Sequence, residues 1–131
     1  SDDSYEKALV IEPNNATVLN NYAYFLSVRN LELSRAEKMS RKSNLLEENN
    51  AAFQDTYAWI MYQKGDYNEA LKWMEKAMLS SGEDSSAEMF YHYGDILLKL
   101  NQKEKALQYW EKALDKDNTR EETSKKIQEH K

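Results

Sequence analysis

The chain has 131 residues and a formal charge of −5, from 23 acidic side chains against 18 Lys and Arg. The two signs are interleaved and form no basic stripe that could track phosphates, which argues against nucleic acid as a partner. With 31% charged and 40% hydrophobic residues, three Gly, one Pro and no Cys, the composition favours helices over sheets and excludes disulfides and thiolate metal sites.

From the N-terminus, "YEKALVIEPNN" reads as a helix stopped by Pro13 and a turn. "NATVLNNYAYFLSVR" places Val18, Leu19, Tyr22, Ala23, Phe25 and Leu26 at helical spacing, with Asn15 or Thr17 as its cap. "LSRAEKMSRKSNLL" puts Ala36, Met39, Ser43 and Leu46 on one face. "AAFQDTYAWIMYQKGDY" repeats the first kind of helix and breaks at Gly65, and "NEALKWMEKAML" repeats the second. A loop, "SSGEDSS", follows with Gly82 as a left-handed cap. "AEMFYHYGDILLKL" and "KEKALQYWEKAL" form the third pair. In the tail, Thr119 and Glu122 stand at capping-box spacing, but only Ile127 is available to a core, so a short or frayed helix is expected.

The order is periodic. "KGDYNEALKWMEKA" at 64–77 returns as "LNQKEKALQYWEKA" at 100–113, and more loosely as "NLELSRAEKMSRKS" at 30–43. The units begin at Ala16, Ala51 and Ala87, so they are 35 and 36 residues apart. These intervals slightly exceed the 34 of a tetratricopeptide unit, and the excess falls in the connections at Asn30–Glu32 and Ser80–Ser86. Two helices approach to about 8 Å only across hydrogen or methyl side chains. That reading assigns Ala23, Ala58 and Gly94 to one side of the contact and Ala36, Ala70 and Ala106 to the other, with Trp73, Met74, Tyr109 and Trp110 filling around them. Gly65 supplies a tight turn that Asn101 and Asn30 replace in the neighbouring units.

On these residues, residues 1 to about 118 resemble the tetratricopeptide repeat family. The family's bulky, small and aromatic series matches Phe90, Tyr93, Gly94 and Leu97, and Leu19, Tyr22, Ala23 and Leu26. The middle unit has Gln54 in the bulky slot, where Phe53 is expected to swing in. The resemblance implies an all-α fold, a right-handed superhelical array of antiparallel helix pairs. Residues 1–14 would be the second helix of a truncated repeat, 15–50, 51–84 and 85–118 three repeats, and 119–131 a capping helix or frayed tail.

In this family the first helix of each pair lines a concave groove that binds a peptide of a partner. Carried over, this points to Asn20, Tyr24 and Ser27, to Asp55, Trp59 and Tyr62, and to Tyr91, Asp95 and Leu98. Exposed Tyr and Trp are enriched at binding hot spots, so the aromatics are the informative members, though each could instead pack on the next repeat. The family's carboxylate clamp uses Lys, Arg and Asn here, whereas this chain shows Asp55 and Asp95. The partner expected is therefore a neutral or basic segment with apolar anchors, not an acidic C-terminus.

No cofactor is expected. His92 and Asp95 are an i, i+3 pair, short of the three or four ligands a metal needs, and no phosphate loop or nucleophile elbow is present. A competing reading is self-assembly, a homodimer through the N-terminal edge offered by Tyr5, Ala8, Leu9 and Ile11. No run approaches about 18 apolar residues, so no direct membrane insertion is expected. The start without methionine suggests an excised piece. "NYAYFLSVR", "DTYAWIMYQKGDYNEAL" and "HYGDILLKL" resemble the C-terminal repeats of large bacterial cell-envelope tetratricopeptide proteins, which implies a periplasmic or envelope site, with a cytoplasmic one left open.

Overall fold

The computed structural model describes residues 2–131, so Ser1, included in the first expected segment, lies outside them. Among the described residues there are eight α-helices and no strands: α1 (Asp2–Ile11), α2 (Ala16–Val28), α3 (Leu33–Leu46), α4 (Ala51–Gln63), α5 (Tyr67–Ser81), α6 (Ala87–Lys99), α7 (Lys103–Lys116) and α8 (Glu121–His130). None of these helices is long and apolar enough to cross a membrane.

Each of α2, α4 and α6 starts on a side chain that accepts a backbone N–H in its first turn. Asn15 accepts from Val18 at 3.0 Å, Asn50 from Phe53 at 3.1 Å and Ser86 from Met89 at 3.1 Å. These bonds satisfy donors that have no partner within the helix. The three helices also end alike. Asn30, Gly65 and Asn101 adopt positive φ of 55°, 85° and 62°. The next residue's N–H then reaches back five positions, Leu31 to Leu26 O, Asp66 to Met61 O and Gln102 to Leu97 O, at 2.9 Å each. This is the closing bond of a Schellman turn, which glycine and asparagine permit because they tolerate the left-handed region. The residue inserted into the first connection is absorbed by a second left-handed residue, Glu32, at φ 43°.

The turns set α2 against α3, α4 against α5 and α6 against α7, and these are the closest helix contacts in the molecule. Ala23, Ala36, Ala58, Ala70 and Ala106 are fully buried. At Gly94 a methyl group would lie 2.3 Å from Trp110 Cδ1 and Nε1, so the ring occupies the space a side chain would need. Small residues thus fix where the helices cross, and Met74 and Trp110, both fully buried, fill the gaps. Trp73 and Tyr109 are only half-buried. Along the array α2 touches α4 and α4 touches α6, whereas α3, α5 and α7 are held apart by the intervening inner helices. A layer of touching helices backed by a splayed one curves, and α2, α4 and α6 form its inner side.

Several expectations are corrected. Tyr5 and Leu9 do not face outward: Tyr5 stacks on Tyr22 at 4.9 Å and both residues pack on the core. α1 is tied down further by Glu6, which accepts from Tyr22 O–H at 2.9 Å and from Arg35 at 2.6 and 2.8 Å. What remains exposed at that end is Val10 and Ile11, at 83% and 79%. Leu46, expected on the buried face of α3, is 45% exposed because the helix ends there. Phe53 and Gln54 are both buried, so neither excludes the other. Gly82 has positive φ but ψ −125°, outside the left-handed helical basin, and opens a short 3₁₀ turn. Thr119 does not cap α8; its backbone N–H donates to Asp117 Oδ1 at 3.1 Å, and Arg120 is the N-cap. α8 runs unbroken to His130, because Thr123 joins Ile127 in burial and both face the core side.

Candidate binding groove

The helical period brings Tyr24 of α2, Trp59 and Tyr62 of α4, and Tyr91 and Leu98 of α6 to the inner side as half-buried side chains. Trp59 stacks between Tyr62, at 4.4 Å and 9° between planes, and His92, at 4.1 Å and 19°. Tyr24 stands 6.3 Å from the His92 ring, tilted by 55°, so an aromatic run crosses all three inner helices. Tyr62 is pushed up to about 12 by burial, reinforced by the nearby Asp95. Tyr24 is raised as well, by burial first and then by Glu88, whose Oε1 accepts its O–H at 2.8 Å. Both phenols are therefore neutral donors at physiological pH.

The polar candidates lie deeper than expected. Ser27 is fully buried, its Oγ donating to Tyr24 O at 2.8 Å. Asn20 is buried too. Its Nδ2 donates to Asn21 Oδ1 at 3.4 Å, while its Oδ1 is closed to solvent and has no hydrogen-bond partner. Asp55 is buried with its Oδ1 2.9 Å from His92 Nδ1. Burial disfavours a charged His92, but Asp55 outweighs it and the imidazole pKa rises. Asp95 is buried and accepts from Trp110 Nε1 at 3.2 Å and from Lys126 Nζ at 2.6 Å. Burial pushes the Asp95 carboxyl up, and the Lys126 ammonium and the indole N–H oppose the shift without cancelling it.

Asp55 and Asp95 are thus not open carboxylates on a groove floor, since each has a partner that balances it. The expected repulsion of an acidic peptide end loses its footing. The predicted His92 and Asp95 pair is likewise separated, with His92 turned to α4 and Asp95 to α8.

Three residues missed from the sequence, Glu88, Arg120 and Lys126, complete the surface together with His92. Glu88 and His92 stand one turn apart on α6, and Arg120 lies 3.4 Å from Glu88 Oε2. Lys126 hangs 4.9 Å over the Tyr91 ring. A cleft of about 370 Å³ opens between the N-terminal halves of the inner helices, and Asn20, Tyr24, Asp55, Glu88 and Met89 are in its wall. A larger one, about 590 Å³, lies on the opposite face between α3 and α5, beside Trp73 and Leu79. Of the predicted groove residues it contains none.

The tetratricopeptide repeat model matches residues 1–119. YrrB, described as a TPR protein with an unusual peptide-binding site, superposes with a TM-score of 0.76 at 28% identity, over 94% of this chain and 62% of that one. The C-terminal part of a TPR repeat-containing protein from Cytophaga hutchinsonii gives 0.70 at 27% identity, over 82% and 42%. A thermophilic TPR protein of Thermus thermophilus gives 0.80 at 12% identity, over 98% and 70%, and shows the fold alone. No curated protein matches the chain significantly. The chain spans less than two thirds of the first two of these structures. By its repeated turns, its small-residue crossings, its curved inner layer and these matches, the chain belongs to the tetratricopeptide repeat family, whose fold serves as a scaffold for protein–protein interaction.

Proposed function

We propose that the protein is a non-catalytic scaffold whose inner groove binds a peptide segment of a partner, with Trp59 and Tyr62 as the main anchors. The observation that carries this reading is the half-buried pair Tyr62 and Trp59 on the inner side, stacked on the buried His92, with a cleft of about 370 Å³ walled by Tyr24, Asp55 and Glu88 on the same side. Preorganised aromatics lose little entropy when a ligand settles on them, and they supply large apolar contact. Apolar anchor residues on the partner, not its net charge, are what such a surface selects. YrrB, with its peptide-binding site, is a relative of the same fold.

Peptides selected from a phage-displayed library against the native protein should lose at least about tenfold in affinity for Trp59→Ala and Tyr62→Ala, about 1.4 kcal/mol or more. Selected peptides that bind both variants as tightly as the native protein would sink the groove assignment.

A second reading, self-association through the N-terminal edge, is favoured by the exposure of Val10 and Ile11. Light scattering should then show a mass that rises with concentration in the native protein but not in a Val10→Ser, Ile11→Ser double variant. A constant mass of one chain for the native protein excludes it.

A further inference from the structure

We propose that Asp55, Glu88 and His92 form a binding site for one divalent transition-metal ion of the zinc class. This goes beyond peptide binding and does not depend on it. One donor atom from each residue lies within 4.8 Å of the other two. Asp55 comes from α4, and Glu88 and His92 are four apart on α6, so they share a face of that helix. Around an ion with bonds of about 2.0–2.2 Å the donors of a tetrahedral site are about 3.4 Å apart. Asp55 Oδ1 and His92 Nδ1, at 2.9 Å, are already within that spacing, and the ion replaces the proton they share, which leaves to solvent. Glu88 is the half-exposed member and closes on the ion by rotating its side chain.

The chemistry of the donors selects the metal. One imidazole nitrogen and two carboxylates suit zinc, nickel or cobalt, whereas calcium needs six to eight oxygens. Two carboxylates also neutralise the ion's charge while the imidazole binds as the neutral base. Two neighbours hold these ligands in place. Tyr24 O–H donates to Glu88 Oε1 at 2.8 Å, and the Trp59 ring, stacked at 4.1 Å, fixes the imidazole plane. The competing cation is Arg120, 3.4 Å from Glu88 Oε2, which has Glu122 Oε1 at 3.7 Å as a second partner.

A second, independent observation at the same cleft is Asn20. It lies in the wall of the same cleft as Asp55 and Glu88, is more than nine-tenths buried, and its Oδ1 has no hydrogen-bond partner. A buried acceptor left unpaired is costly, and native structures usually satisfy such atoms. A water in the fourth coordination position would donate to it.

The test is calorimetric titration of zinc chloride, and separately calcium chloride, into metal-free protein. One zinc ion should bind per chain and calcium should bind far more weakly. Zinc should also raise the melting temperature, since only the folded chain holds the three donors together. Glu88→Gln, at the half-exposed ligand where misfolding is least expected, should weaken zinc binding more than about tenfold and abolish the thermal shift. His130→Ala, which removes the other histidine, should change neither. Absence of zinc binding, equal binding of calcium, an unchanged affinity in Glu88→Gln, or loss of binding in His130→Ala would each overturn the assignment.

Discussion

Gly94 is the one glycine of the three at which an added methyl group has no room. An added Cβ would come within 2.3 Å of a fully buried indole, and Trp110 cannot retreat without losing its Nε1 bond to Asp95. Replacing helical glycine with alanine ordinarily gains up to about 1 kcal/mol. Overpacking costs roughly 1–3 kcal/mol, so the steric term wins and Gly94→Ala is expected to destabilise in chemical denaturation. Ala70→Leu and Ala106→Leu, at fully buried crossings, should each cost a similar 1–3 kcal/mol or so. Unchanged denaturation midpoints in these variants would mean that the crossings do not depend on small side chains. All three positions were readable from the sequence, because a residue that must be small in every unit stands out at the repeat interval.

Among the elements, the two terminal helices differ most from what their composition suggests. α1 is held by an ion pair as well as by stacking: Arg35, and then the Tyr22 hydroxyl, hold the Glu6 carboxyl below its ordinary 4.5. A depressed carboxylate pKa contributes stability that is present above the unfolded value and is lost as pH falls through the folded one. Glu6→Gln should therefore melt below the native protein at neutral pH, and the two should converge in acid, once the pH has fallen through the depressed Glu6 pKa. A difference that persists in acid would assign the loss to packing instead.

α8 carries only Ile127 as an apolar core residue, so its order was not legible. What holds it is shape and charge at once. Lys126 reaches Asp95 at 2.6 Å, and His130 lies 5.2 Å from the Trp110 ring. Burial works against a charged Lys126, but Asp95 more than compensates and its pKa rises. Deleting residues 119–131 uncovers Trp110 and leaves Asp95 without its ammonium, and should lower the melting temperature by roughly 5–10 °C. An unchanged melt would show that α8 adds nothing to the core.

For the whole molecule, the legible features were those that repeat. The turns at Asn30, Gly65 and Asn101, the small residues at the crossings, and the inner-side positions of Tyr24, Trp59 and Tyr62 all follow from one interval of 35 or 36 residues. The polar wiring of the groove was not legible because it breaks that interval. His92 meets Asp55 at a separation of 37, Lys126 meets Asp95 at 31, and Arg120 meets Glu88 at 32. Such pairings depend on the superhelical offset between units and on a helix that follows the last of them.

The bond from Tyr24 to Glu88 links residues 64 apart in sequence and joins the first pair of helices to the third. A chain of modules that touch only their immediate neighbours can lose its ends piecemeal, each with its own midpoint. Here a tether passes over the middle module, so the outer two are coupled directly by the worth of one hydrogen bond to a charged group, about 1.5–3 kcal/mol.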